Sequence, residues 1–191
     1  MKSKGVLAEL KHHIPFTATA TLIAIILVII FRYTNTEPAF EIIHPAHIFA
    51  SAIVTSAIFY KYKPKFFQAL LIGLTGSIII GTFSDIIFPY LGGLIFQLNT
   101  SLHLSIIEEP LTILGVALAG CLFGITTKYT KVPHLIHVLL SVFASLFYII
   151  AFSTHLNFIN FTASFFIVFV AVLIPCCISD IIYPMLFVRK K

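Results

Sequence analysis

The sequence predicts an all-α integral membrane protein: six transmembrane helices arranged as two inverted three-helix repeats. Three observations carry this expectation. The chain is strongly apolar with little charge, it divides into six apolar runs of spanning length, and a six-residue motif from its first half returns in its second. Apolar residues make up 59% and charged residues 10%, with a mean hydropathy of +1.06. A soluble domain carries roughly 25% charged residues, so this chain has too little charge to cover a water-facing surface. At 191 residues there is room for one compact bundle. The net charge of +5 does not point to nucleic acid, because the basic residues fall in short clusters between apolar runs, as membrane-edge anchors do. Cys121, Cys176 and Cys177 all lie inside apolar runs, which argues against a disulfide framework and for buried thiols. The opening lysines followed by an apolar run resemble a signal peptide, but no convincing cleavage site follows, so a retained first helix is expected.

A span needs about 20 mostly apolar residues to cross a hydrocarbon core of about 30 Å. In the first repeat, residues 1–95, the spans are expected at 14–31, 42–60 and 66–91. In the second, residues 96–191, they are expected at 110–126, 133–152 and 158–188. The stretch 92–107 is apolar but broken by Gln97, Asn99 and His103, so it reads as an interfacial helix or a re-entrant piece. With six spans, Lys2, Lys4 and Lys11, then Lys61, Lys63 and Lys65, then Lys128 and Lys131, then Arg189, Lys190 and Lys191 all share one side. Arg32 alone lies opposite. Excess Lys and Arg marks the cytoplasmic face, which places both termini in the cytoplasm and the chain in the cell (plasma) membrane.

The repeat rests on three correspondences in register. Ser84-Asp85-Ile86-Ile87-Phe88-Pro89 recurs as Ser179-Asp180-Ile181-Ile182-Tyr183-Pro184. His44, His47 and Ser51, spaced i, i+3, i+7, recur as His134, His137 and Ser141. More weakly, His12, His13 and Pro15 match Ile107, Glu108 and Pro110. An odd number of spans per unit turns the second copy over, as in many transporters.

Ionisable groups inside apolar spans cost roughly 2.5–3.5 kcal/mol on insertion scales, so each asks for a partner or a role. Two clusters are expected. An outer one gathers His44, His47 and Asp85 with Glu108 or Glu109, and an inner one gathers His134, His137 and Asp180 with His12 or His13. The i, i+3 spacing puts two imidazoles on one helix face. Two imidazoles and a carboxylate suit a divalent transition metal such as zinc, iron, manganese or nickel. Haem is disfavoured, since such a pair does not approach a porphyrin from both faces. Cys176 and Cys177 precede Asp180, but Gly81 and Thr82 hold the matching places in the first half, which favours ordinary buried cysteines. Pro89, Pro175 and Pro184 are expected to kink or interrupt their helices near the aspartates. Gly115, Ala119, Gly120 and Gly124, with Gly73 and Gly76, give small-residue faces for close helix packing, within the bundle or across a homodimer.

No hydrolase, phosphate-loop or nucleotide motif is present. The expected function is a divalent-cation-binding membrane protein that acts as a small ion transporter, with the metal ion and the lipid bilayer as its partners. The alternatives are an integral membrane metalloenzyme with Glu109 as base, and a proton-relay or structural membrane subunit. The span middles offer only Ser51, Thr55, Ser56, Ser77, Ser141 and Ser145 between the two expected clusters.

Overall fold

The computed structural model describes residues 15, 18–24, 26, 36–128, 131–154, 158–177 and 182–188, with backbone alone for 131–135, 158–161 and 176–177. The described residues are helical, with no strand beyond an isolated bridge between Thr100 and Ser153. The helices are α1 (Glu37–Tyr62), α2 (Phe66–Ile95), α3 (Ser105–Glu108), α4 (Pro110–Thr127), α5 (Lys131–Phe152), α6 (Phe158–Cys177) and α7 (Tyr183–Leu186). Residues 18–24 ahead of them are helical too. Among the described residues, three helices, α1, α2 and α4, are long and apolar enough to cross a membrane. Shorter apolar stretches, Ile136–Phe152 and Thr162–Pro175, lie in α5 and α6.

Local chemistry sets the helix ends. Helix α1 begins at Glu37, earlier than hydropathy alone suggests, because Glu37 and Pro38 suit a first turn. It stops where Lys63 turns extended (φ −143°, ψ 91°), as the residue before a proline must. Helix α4 ends with Lys128 in a left-handed conformation. Helix α2 runs four residues past its expected end and contains a π-helical turn at Phe83–Ile87. Pro89 explains that turn: it has no N–H for the carbonyl of Asp85, and its ring crowds that carbonyl. The Phe88 N–H accordingly reaches back to the Phe83 carbonyl instead of that of Ser84. The expected interruption near Asp85 thus takes the form of a π turn.

Helix α1 is the axis of the bundle, packed by α2, α4 and α5. In its most apolar stretch 72% of residues are buried, against 33% in α4, so α4 shows most of its surface outward. Close approach of α4 to α1 depends on Gly120 and Gly124, where a Cβ would run into the carbonyls of Phe49 and Ile53. Gly115 faces open space and takes no part in that seam. In lipid, such close packing supplies much of the association energy between helices.

Within the stretch 92–107, residues 92–95 continue α2, residues 96–104 form an irregular strap across the end of α5, and Ser105 opens the short α3. Ser101 N–H donates to Phe152 O at 2.9 Å, and Tyr148 Oη donates to Ser101 O at 3.0 Å. Gln97 and Asn99 take positive φ to turn the chain. At the opposite end of α1, Lys63 Nζ donates to the Phe187 carbonyl, and Tyr183 Oη meets Thr75 Oγ1 at 2.8 Å.

Candidate metal centre

His44 and His47 stand on the same face of α1, and Asp85 stands on the π turn of α2 opposite them. All three are buried, at 1%, 1% and 0% exposure. The Nδ1–H groups of His44 and His47 both donate to Asp85 Oδ2, at 2.8 and 2.6 Å. Ser84 Oγ and Ser141 Oγ donate to Oδ1, at 2.7 and 2.9 Å. The carboxylate thus receives four donors from three helices.

An ionised carboxylate only accepts hydrogen bonds, so this pattern puts the imidazole protons on Nδ1 and leaves the lone pairs on Nε2. Among the described residues, the ion-pair partners of Asp85 are these two histidines, with no Lys or Arg. Neutral imidazoles do not balance a buried negative charge. A cation, whether a proton on a ring or a metal ion, would balance it. One ligand atom from each of His44, His47 and Asp85 lies within 4.8 Å of the others, which is compatible with holding a metal ion.

The surroundings treat the two histidines differently. The Phe40 ring stacks on His44, with centroids 5.3 Å apart. His47 stacks instead on His137 of α5, at 4.6 Å and 14° between planes. Among the described residues, His47 Nε2 is buried and has no hydrogen-bond partner. It belongs to a narrow crevice lined by His47, Ser51, Ile80, Gly81, Ser84, His137 and Pro175.

Several expected positions fall elsewhere. Glu108 does not complete the shell around Asp85; its Oε2 pairs with Nδ1 of His103 at 3.0 Å, on the rim. Glu109 is exposed beside it. The Nε2 of His103 faces Glu41 Oε1 at 2.7 Å, and its ring stacks on Phe152 at 4.5 Å. His137, expected in the inner cluster, stacks on His47. It meets His47 because both lie well inside their helices rather than at the starts: His47 is ten residues beyond Glu37, about 15 Å at 1.5 Å per residue. His12, His13 and Asp180 lie outside the described residues, as does the side chain of His134.

Sequence reasoning missed Ser84 and Ser141 as donors to the carboxylate, although both belong to the repeated motifs. It also missed the Glu41–His103–Glu108 group, whose members are far apart in sequence and share no periodicity. Comparison with protein-family models, with curated proteins and with solved structures finds no match for this chain.

Proposed function

We propose that this chain is a multi-pass membrane protein that binds a divalent transition metal at its buried His/Asp cluster and carries it across the bilayer as a small transporter. The observation that carries the reading is the buried Asp85 carboxylate, faced by two imidazoles and no fixed cation among the described residues. In an apolar bundle such a group is costly unless it serves a cation.

The six-span, inverted-repeat architecture belongs to the same proposal. Two features support it. His47 and His137, equivalent in the repeated triple, face each other, as residues beside a pseudo-two-fold axis would. Ile182, equivalent to Ile87, is likewise assigned π-helical. A site at the junction of two inverted units suits alternating access by rocking. It also removes the need for an ion to cross a long apolar gap between separate clusters. Both termini would be cytoplasmic, in the plasma membrane, as the lysine clusters suggest.

One observation favours a metalloenzyme acting on lipid as a second reading. An apolar groove of about 420 Å³ opens between α2 and α6, lined by Phe88, Leu91, Gly92, Ile95, Ile167 and Ala171 among others. Phe88 and Ala171 lie one helical turn from Ser84 and Pro175 of the histidine crevice. Metal content of the detergent-purified full chain, beside a His44→Ala, His47→Ala double variant, tests the metal reading. Near-stoichiometric zinc, iron or manganese lost in the variant supports it. No metal on the native chain, even after incubation with each ion, would sink it. Metal-dependent uptake into proteoliposomes, or turnover of an added lipid, then separates transport from catalysis.

A further inference from the structure

We infer that the cation is held between the two halves of the chain, on Nε2 of His47 and the imidazole of His137, with Asp85 as a positioning carboxylate behind His47. The inference deepens the metal-binding reading above and rests on it.

Two ways of loading the cluster compete. If Asp85 Oδ2 and the Nδ1 atoms of His44 and His47 were the ligands, two hydrogen bonds of 2.8 and 2.6 Å would have to break and two ring protons would have to leave. If Nε2 is the ligand, all of those bonds stay. The carboxylate then fixes the tautomer and the ring orientation, as carboxylates behind metal-bound imidazoles commonly do. The structure favours the second route, because His47 Nε2 is buried without a hydrogen-bond partner among the described residues, on the side of the ring away from Asp85. A buried polar atom left unsatisfied is costly and needs a reason. A lone pair kept ready for a cation supplies one.

The crevice beside that atom decides the second ligand. It is lined by His137 from α5 and not by His44, whose ring lies under Phe40. It has no room for a water molecule as it stands, so an ion enters only if the two rings part. The two rings now stack nearly parallel, at 14° between planes, so their in-plane lone pairs do not converge on one tetrahedral zinc. Binding therefore tilts one imidazole about its soft χ2 and unstacks the pair. The ion would tie α1 to α5, and through Asp85 and Ser141 the same contact reaches the π turn of α2.

The test is zinc X-ray absorption and zinc affinity on the full chain in detergent, for the native protein and for Asp85→Asn, His47→Ala and His137→Phe. Phenylalanine keeps the stacked ring and removes its nitrogens, so His137→Phe is the variant that preserves packing; a thermal melt verifies that it folds. The expected result is two imidazole ligands in the native protein and one fewer in His137→Phe and in His47→Ala. In Asp85→Asn the imidazole count should stay at two while affinity falls by about 10–100-fold. An unchanged imidazole count in folded His137→Phe would overturn this inference and leave the metal reading standing. Loss of a carboxylate ligand with retained imidazoles in Asp85→Asn would make Asp85 a direct ligand and overturn it as well. Absence of zinc from the native chain would overturn both.

Discussion

The hydroxyl of Ser145 on α5 is shared between the Ser141 carbonyl of its own helix, at 2.8 Å, and the backbone carbonyl of Ser84 on α2, at 3.1 Å, and the reason for the second contact lies at Pro89. In an uninterrupted α-helix that carbonyl would accept from the Phe88 N–H, but the π turn redirects Phe88 to Phe83. The proline thus releases a carbonyl in the apolar interior, and a serine from another helix takes it up. Single π turns inside α-helices frequently mark functional sites, and here the turn carries Asp85.

Ser145→Ala leaves the Ser84 carbonyl buried without that donor. The expected cost is about 1–3 kcal/mol of stability, the penalty for an unsatisfied buried polar group. Thermal or denaturant unfolding in detergent measures it. A change within error of zero would mean that the carbonyl finds another partner and that Ser145 does not support the turn.

Pro89→Ala restores the N–H that the Asp85 carbonyl lacks, so the π turn should relax toward α-helix. Losing the extra residue of the turn rotates Asp85 relative to His44, His47 and Ser141. Metal affinity should fall at least about 10-fold, the lower end for a disturbed supporting group. Stability should hold or rise, since proline in a helix interior costs about 3 kcal/mol. Unchanged affinity in a more stable variant would separate the turn from the site.

Gly124→Leu probes the seam between α4 and α1. Any side chain there runs into the Ile53 carbonyl, which belongs to the central helix and cannot swing aside. Overpacking of this kind costs about 1–3 kcal/mol or more. Gly115→Leu, in open space, should be near neutral in the same unfolding assay. Equal effects at the two positions would show that the α4 face is not read by α1.

The contrast between those two glycines shows how far the sequence could be read. Composition and apolar run length locate α1, α2 and α4, because spanning a bilayer constrains length and polarity together. The i, i+3 histidines and Asp85 could be picked out, because a polar group in an apolar run is conspicuous. Which of them meet could not be read, since that depends on where along α1 and α5 the helices cross. The helix start at Glu37 moved His47 inward, to where it faces His137. The π turn, and with it the serine donors, follows from Pro89 but needs the neighbouring helix before its consequence is visible. Gly115 and Gly124 look alike in a pattern and differ only in what lies opposite.

Helix direction gives the last prediction. Lys63 reaches the Phe187 carbonyl and Lys128 lies over the Tyr60 ring at 5.6 Å, so Lys63, Lys128 and the end of α7 share one end of the bundle. The strap around Asn99 and Ser101 packs on the end of α5 beside Phe152 and Thr154. If the bundle spans the bilayer, single cysteines at Lys61 and Lys128, placed in a chain freed of its native cysteines, should react with an impermeant maleimide from one side. A cysteine at Asn99 should react only from the other. In the proposed orientation the lysine side would be the cytoplasmic one. Labelling of Lys61→Cys and Asn99→Cys from the same side of sealed vesicles would contradict a spanning α2, and with it the route by which a cation would cross.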